Sequence, residues 1–304
     1  METMNVRVTD LRTFCYVVET GSLANAAKKL HETKSSVSRR ITRLEGILEV
    51  KLFDRTARSS RVTEEGVTYY PYIRDAIMKI DDGTAVITKG AMDAEGLVRI
   101  AAPVDFAMTV MPKLLNRFLR DNPAIRTSLT STDSVVDLAA KKVDIAIKIT
   151  IEPSLPDMEY WATQAGLVRM GLFAAAKAKL PPLSTPKDLS KLQCVFPAYD
   201  GSSGILELLH ETKDTMKIPA NHDALIVSDY ATLAQFLVEG DAYGALPLQV
   251  AQKYVDNGEL VRVLPDWFLP NGYLWVVTRV SKNLTTRVRL CRMFLVEKFK
   301  EKLG

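Results

Sequence analysis

Apolar residues recur at helical spacing through the first part of the chain. Three stripes, each with a spacing of three to four residues, predict three successive helices. Gly21 ends the first stripe, Ser22 is a candidate N-cap of the second helix, and Thr33 is a candidate N-cap of the third. The stripes consist, in order, of Leu11, Phe14, Cys15 and Val18; of Leu23, Ala26, Ala27 and Leu30; and of Val37, Ile41, Leu44 and Leu48.

The polar face of the third predicted helix carries hydroxyl groups and cations near its start. Two helices joined by a tight turn, the second with such a face, are suited to reading the major groove of DNA. Serine and threonine bond to base edges or phosphates, and arginine contacts guanine with two hydrogen bonds. A solvated basic helix on a small bundle is the alternative that these residues alone leave open. The candidate DNA-contacting residues here are Ser22, Lys34, Ser35, Ser36, Ser38, Arg39 and Arg43.

A short hairpin is predicted after the third helix, at residues 53–62 (FDRTARSSRV). Arg55, Arg58 and Arg61 recur there at every third residue, a spacing suited to contacts along a phosphate backbone. The segment is therefore a candidate wing of the DNA-binding unit, with these three arginines on phosphates.

A long helix is predicted to follow the hairpin. Thr63 is a candidate N-cap, Glu64 and Glu65 suit the positive end of the helix dipole, and Pro71 should bend the helix locally. Its apolar residues form a heptad-like seam, which favours pairing with a second copy of the chain over packing on its own chain. Under the pairing hypothesis, Ile77→Asp should yield monomers. The candidate dimerisation residues are Tyr70, Ile73, Ile77, Ile80 and Ile87.

From residue 97 the pattern changes to strands alternating with helices, which predicts an α/β region. The predicted helices lie at 108–122, 134–142 and 230–240, and the first of them has Met111, Leu114, Leu115 and Phe118 on one face. The predicted strands lie at 97–102, 125–131, 143–149, 168–175, 192–198, 224–228 and 273–280.

Basic residues are concentrated in the segment that carries the candidate DNA-contacting residues. The chain has 304 residues, more than one core usually serves, and a net charge of only +4. Residues 1–62 hold twelve bases and seven acids, a net charge of +5, so the remainder carries −1. This distribution is typical of a nucleic-acid-binding module joined to a nearly neutral domain.

Several classes of protein are disfavoured by what the sequence lacks. No charge-free apolar run resembles a secretory signal or a membrane span, so we expect neither, and no membrane partner. Cys15, Cys194 and Cys291 lie far apart and lack metal-ligand spacing, which favours structural thiols in a reducing cytoplasm, with neither metal nor cofactor. The usual hydrolase, nucleotide-binding and metalloprotease motifs are missing, which argues against an enzyme.

Four motifs occur in order in the first 66 residues: FCYVVETGSLANAAKKL at 14–30, SSVSRRITRLE at 35–45, LFDRTAR at 52–58 and VTEEG at 62–66. Together they closely resemble the winged helix-turn-helix of the LysR-type transcriptional regulators. Lys34 stands where that family usually has glutamine, and Glu49 replaces the usual glycine. The resemblance implies that the long helix after the wing is a dimerisation linker.

Further motifs extend the resemblance over the rest of the chain: GLVRIAAP at 96–103, VDIAIKI at 143–149, TPKDL at 185–189 followed by Cys194, GALP at 244–247 and GELVRVLPDW at 258–267. They imply the two-lobed α/β fold of periplasmic solute-binding proteins. Residues 240–242 read Gly-Asp-Ala where the family usually has Gly-x-Gly, which predicts a loop of its own shape. The implied organisation is a winged helix-turn-helix domain at 1–62, a linker helix at 63–90 and an effector-binding domain at 91–304, with lobe I at about 91–162 and 266–304 and lobe II at about 163–265.

Ligands of such lobes bind at the carboxyl ends of strands and at helix N-termini. Among the loops in these places, Ser131, Thr132 and Ser202 are hydrogen-bond donors, and Phe106 and Tyr199 are candidate walls. An ordinary loop or cap role is the alternative for each, and nearby aspartates disfavour a densely anionic ligand. The candidate effector-binding residues are Pro103, Val104, Phe106, Ser131, Thr132, Tyr199, Ser202, Asp229, Leu246 and Pro247.

The hypothesis that follows is a cytoplasmic transcription regulator that binds double-stranded promoter DNA as a homodimer or homotetramer. A small-molecule effector between the two lobes would control it, and RNA polymerase is a further candidate partner. A ligand-independent or thiol-redox-triggered regulator of the same architecture is the nearest alternative. A transport solute-binding protein explains the second region but does not need the basic first one.

Overall fold

The helices and strands of the chain, taken from a computed structural model, fall into two units, Met1–Ala91 and Met92–Gly304. The structure describes residues 6–55, 60–88, 94–132, 143–153, 160–197, 205–212, 214–219, 225–279 and 284–303.

The first unit begins with the three predicted helices, α1 (Val8–Thr20), α2 (Leu23–Leu30) and α3 (Lys34–Leu48). Their ends follow from local chemistry. Gly21 closes α1 in the left-handed conformation with φ of 69°, which glycine adopts without strain. The Ser22 hydroxyl accepts a hydrogen bond from the Asn25 backbone N–H at 3.1 Å, and the Thr33 hydroxyl accepts one from the Ser36 backbone N–H at 3.2 Å. All three helices and both N-caps are thus confirmed.

The predicted hairpin and long helix complete the first unit. Strands β1 (Phe53–Arg55) and β2 (Ser60–Val62) pair antiparallel, with Phe53 opposite Val62. The Thr63 hydroxyl accepts from the Gly66 backbone N–H at 3.1 Å, and α4 (Glu64–Thr88) follows. The core beneath the helices centres on the fully buried Phe14, whose ring lies 5.7 Å from that of Phe53.

Strands and helices alternate through the second unit, as predicted for an α/β fold. A short 3₁₀ helix (Pro186–Lys191) lies between β6 (Tyr160–Ala175) and β7 (Cys194–Pro197). The other elements are β3 (Gly96–Ala102), α5 (Val104–Thr109), α6 (Met111–Asp121), β4 (Ile125–Ser131), β5 (Ile145–Thr150), β6 (Tyr160–Ala175), β7 (Cys194–Pro197), β8 (Ile205–His210), β9 (Thr215–Pro219), β10 (Ile226–Val227), α7 (Tyr230–Glu239), β11 (Tyr243–Pro247), α8 (Leu248–Asp256), β12 (Leu260–Arg279) and α9 (Thr286–Leu303).

Two long antiparallel strands, β6 and β12, join the two halves of this sheet. The strand order is β10-β7-β11-β6-β12-β5-β3-β4, with the β8–β9 hairpin attached to β12. The C-terminal part of β12 pairs with β5, whereas the C-terminal part of β6 pairs with β11. The predicted lobe boundaries at 162/163 and 265/266 therefore fall inside continuous strands, which run from one half into the other.

Several elements differ from the predicted ones. The helix predicted at 108–122 is two helices, because Pro112 lies in the first turn of α6 and a proline there disfavours helical continuation from the preceding residues. The face of α6 is confirmed, since Met111, Leu114, Leu115 and Phe118 are buried. The prediction assigned no element to β8, β9, β11, α8 or α9, and the helix predicted at 134–142 lies outside the described residues.

Candidate functional site

The start of α3 presents an exposed polar surface. Val37, Ile41 and Leu44 are fully buried, so this helix is fixed by its apolar face. Lys34, Ser35 and Arg39 are exposed on it, while Ser36 and Ser38 are half-buried. The structure therefore brings the predicted side chains of this helix together on one stretch of surface. Ser22, the N-cap of α2, is half-buried and accepts a hydrogen bond from its own helix.

A carboxylate that was not predicted to have a role lies beside this surface. Glu32, in the turn between α2 and α3, accepts a hydrogen bond from the Ser36 hydroxyl, with 3.0 Å between Oγ and Oε2. Its other oxygen, Oε1, is 3.0 Å from the Arg40 guanidinium. Arg40 also donates to the Thr13 hydroxyl at 3.3 Å, which ties the turn to α1.

Arg43 is an exposed residue whose guanidinium binds the buried carboxylate of Asp10. Its Nε donates to Oδ2 of Asp10 at 2.8 Å, and the Asp10 side chain is 0% exposed. This hydrogen bond raises the pKa of the Arg43 guanidinium. Arg43 thus links α3 to α1 through its guanidinium. Contact of Arg43 with a DNA base stays a prediction, and the same guanidinium would have to bind both Asp10 and the base.

Glu45 connects α3 to the β1–β2 hairpin. Its Oε1 accepts hydrogen bonds from the backbone N–H groups of Leu52 at 3.0 Å and Phe53 at 3.2 Å. The Glu45 side chain is 2% exposed, so this contact is inside the unit. On the wing itself, Arg61 is exposed in β2 opposite Asp54, whereas Arg58 and the Arg55 side chain lie outside the described part of the chain.

The seam of α4 is largely buried by its own chain. Ile73 and Ile77 belong to the same core as Phe14, and the Tyr70 ring also packs against Phe14. Arg12 of α1 pairs with Asp81 of α4 and holds the two helices together, with 2.8 Å between Nη1 and Oδ2.

The dimerisation hypothesis therefore needs revision at Ile73 and Ile77, because intrachain packing already accounts for their burial. Ile80 is 43% exposed, and the Ile87 side chain lies outside the described residues.

Several candidate effector residues lie where strands end and helices begin. Pro103 and Val104 begin α5 directly after β3, and Ser131 ends β4. The backbone N–H of Thr132 donates to the carbonyl of Ala102 at 2.9 Å, so the ends of β3 and β4 are adjacent. Helix α5 also contacts α7 and α8, which belong to the other half of the sheet. Helix α5 thus contacts β4 in one half and α7 and α8 in the other.

The remaining effector candidates have other surroundings. Phe106 and Leu246 are fully buried in the apolar core, so they support the loops and offer no exposed surface, while Pro247 is a buried residue at the end of β11. Asp229 caps α7, accepting from the Thr232 backbone N–H at 2.7 Å. Burial opposes ionisation of Asp229, but hydrogen bonds from Thr232 and Ser228 outweigh it and lower its pKa. Tyr199 and Ser202 lie outside the described residues.

The three cysteines are buried thiols, and the acidic side chains of the described residues form no metal-binding group. Cys15, Cys194 and Cys291 are free and buried, and burial raises the pKa of each to about 12. Within the described ranges, no group of three His, Cys, Asp or Glu side chains is arranged to hold a metal ion. No helix in that part of the chain is long and apolar enough to span a membrane.

A helix-turn-helix with a wing, followed by a two-halved α/β unit, defines the class as a DNA-binding regulator with a separate regulatory domain. Residues 8–67 match the family model for the bacterial regulatory helix-turn-helix protein of the lysR family, and residues 92–300 match the LysR substrate binding domain. The chain belongs to the LysR family of transcriptional regulators.

Curated relatives and a solved structure agree with this assignment. An HTH-type transcriptional repressor of Pseudomonas aeruginosa strain UCBPP-PA14 is 29% identical, over 97% of this chain and 93% of the relative. The transcriptional activator TtdR of Escherichia coli K12 is 26% identical, over 97% of this chain and 94% of the relative. CrgA, a LysR-type regulator from Neisseria meningitidis, has the same fold, with a TM-score of 0.64, 24% identity and coverage of 96% of this chain and 98% of CrgA.

Proposed function

We propose that this regulator reads promoter DNA with α3 in the major groove and the β1–β2 wing along the phosphate backbone. The observation that carries the proposal is the exposed start of α3, where Lys34, Ser35 and Arg39 lie on a helix anchored by its buried opposite face. Base-edge contacts supply sequence specificity, whereas contacts with phosphates supply salt-dependent affinity. The helix and the wing should therefore contribute in different ways.

Arg39→Ala and Arg61→Ala are expected to weaken DNA binding differently. Arg39→Ala should change the preference between operators by about 1–3 kcal/mol for a lost base contact. Arg61→Ala should weaken binding to all duplexes and reduce the slope of log K against log salt by about 1. Gel-shift titrations at several salt concentrations, on a selected operator and a scrambled duplex, measure both effects. Lys187→Ala, which removes an exposed cation from the second unit, is the matched control. Equal, salt-insensitive losses for Arg39→Ala and Arg61→Ala would contradict the assignment.

We infer that a small-molecule effector binds where the two halves of the second unit meet at α5. The adjacency of the ends of β3 and β4 and the contacts of α5 with α7 and α8 support this location. A ligand that prefers one arrangement of the lobes shifts the population toward it, and a decisive shift requires several kcal/mol of difference in affinity.

A metabolite-library thermal shift assay on the full chain is expected to identify stabilising molecules, because ligands that bind only the native state raise the melting temperature. Ser131→Ala should reduce the shift produced by such a molecule. Ser128→Ala, an exposed position within the same strand β4, should retain it. A broad screen without hits would favour the ligand-independent alternative.

Pairing of two chains through α4 remains part of the proposal, with a revised surface. Tyr72, Ala76 and Ile80 are exposed and spaced by four residues, so they form one strip beside the buried seam. A second copy of α4 packed on this strip would cover its apolar surface. RNA polymerase remains a candidate partner, and the cytoplasm the expected compartment, on the basis of the regulatory role alone.

The thiol-redox alternative is the weaker one on the chemistry of the cysteines. The thiolate is the reactive form of cysteine, and a pKa of about 12 for Cys15, Cys194 and Cys291 leaves very little thiolate at neutral pH. The low reactivity of these thiols therefore favours control by a bound metabolite over control by thiol oxidation.

A further inference from the structure

Glu32 has both carboxylate oxygens occupied at the start of the recognition helix. Oε2 accepts the hydroxyl of Ser36 at 3.0 Å, and Oε1 is 3.0 Å from the guanidinium of Arg40. Arg40 is held in turn by the Thr13 hydroxyl of α1 at 3.3 Å. The carboxylate is therefore fixed from two sides, and its position relative to Ser36 is set by the fold of the unit.

The direction of the Ser36 hydrogen bond has a consequence for DNA contact. An ionised carboxylate only accepts hydrogen bonds, and a serine hydroxyl has one proton and two lone pairs. Ser36 therefore uses its proton on Glu32 and retains only lone pairs for another partner. Ser35, one residue earlier, is not constrained in this way, because either oxygen can donate in its 3.0 Å contact with the Thr33 hydroxyl.

Resting on the proposed reading of DNA by α3, we propose that Glu32 determines sequence specificity by making Ser36 a hydrogen-bond acceptor toward the bases. Adenine and cytosine present amino donors in the major groove, whereas guanine and thymine present carbonyl acceptors at the equivalent positions. Ser36 then selects an amino base on the strand it faces and disfavours a keto base. Glu32 is a positioning residue, since it acts on DNA through Ser36.

The experiment begins with selection of the full-length protein on a duplex library containing a randomised segment. Dissociation constants are then measured for the selected operator and for duplexes changed at single positions. The wild-type protein is expected to prefer A or C over G or T by about 3- to 10-fold at one position, the effect of one hydrogen bond. Ser36→Ala should abolish the preference at that position only, and Ser36→Thr should keep it.

Glu32→Gln is the decisive variant. Its amide can donate to the Ser36 oxygen, which frees the hydroxyl proton for a base carbonyl. The amino-to-keto ratio at the Ser36 position should then fall to within about 2-fold, with the other positions unchanged. The double variant with Ser36→Ala should give the same ratio as Ser36→Ala alone. Glu65→Gln, which removes one exposed acid from the first turn of α4, is the control for net charge and should retain the wild-type ratio.

The possible outcomes separate this inference from the proposed function. A wild-type protein that enriches no sequence contradicts specific DNA reading itself. An enriched operator whose amino preference survives in Glu32→Gln overturns only the role of Glu32, as would a keto base at the position that Ser36→Ala relaxes. A purely structural role would lower affinity for all operators equally and leave the ratio unchanged. Should Glu32→Gln fail to fold by circular dichroism, an amino base at the position that Ser36→Ala relaxes would support the inference and a keto base would overturn it.

Discussion

Ile77→Asp is expected to unfold the N-terminal unit, whereas Ile80→Asp, one turn further along α4, should leave it folded. Ile77 is 8% exposed and packs in the core that contains Phe14, while Ile80 is 43% exposed. An unpaired carboxylate in an apolar core costs several kcal/mol, and about 4 kcal/mol is a large share of the stability of a domain. A surface substitution such as Ile80→Asp changes stability by about 0.5 kcal/mol or less.

The same pair of variants tests where two chains meet. Because Ile80 lies on the exposed strip with Tyr72, its replacement by aspartate should give folded monomers with reduced operator affinity. Denaturant unfolding followed by circular dichroism measures stability, and light scattering measures the oligomeric state. Folded, monomeric Ile77→Asp would restore the original hypothesis that Ile77 lies between chains. An unchanged oligomer in Ile80→Asp would place the interface elsewhere.

The comparison of Ile77 with Ile80 shows what hydrophobic spacing can predict. A period of three to four residues identifies the face of a helix that must be buried, and α4 does bury Ile73 and Ile77. The period is the same whether the covering surface belongs to the same chain or to another. The sequence leaves open the alternative that the seam packs on its own chain. That alternative explains the burial of Ile73 and Ile77.

Helix ends in the first unit were predictable because their causes are local. Ser22, Thr33 and Thr63 each accept a backbone hydrogen bond from the residue three positions later, and Gly21 supplies the positive φ that ends α1. The β8–β9 hairpin is not predicted, because the contacts that accompany it are with residues far along the chain. The segment ILELLH of β8 is compatible with either a helix or a strand. In the structure it is a strand, and it pairs with Trp267 and Phe268 of β12.

The polar contacts that support the DNA-binding surface also depend on distant partners. Arg43 had the residue type and helix face of a base-contacting arginine, but Asp10, 33 residues away, binds its guanidinium. No spacing rule connects these two positions. The burial of Asp10 is what requires a cationic partner, and this burial is visible only in the fold.

Glu45→Ala is expected to loosen the wing and to destabilise the N-terminal unit by about 2–6 kcal/mol. The substitution leaves the backbone N–H groups of Leu52 and Phe53 without the acceptor they have now, and each buried donor without a partner costs about 1–3 kcal/mol. The nearby Lys51 adds little, because its side chain is 74% exposed and such ion pairs are weak. Glu45→Gln keeps one acceptor oxygen in nearly the same shape and should cost less, about 1–2 kcal/mol.

The effect of Glu45→Ala should reach DNA binding through the wing. Leu52 and Phe53 lead into β1, which pairs with β2 and so positions Arg61. Under the proposed mode of DNA binding, a displaced β2 should lose the phosphate contact proposed for Arg61. Glu45→Ala should then reproduce the reduced salt slope of Arg61→Ala and preserve the base preferences proposed for α3. Denaturant unfolding and salt-dependent gel shifts measure the two effects, and faster amide exchange at Leu52 and Phe53 would locate the cause. Wild-type stability together with a wild-type salt slope in Glu45→Ala would mean that the wing is held by other contacts.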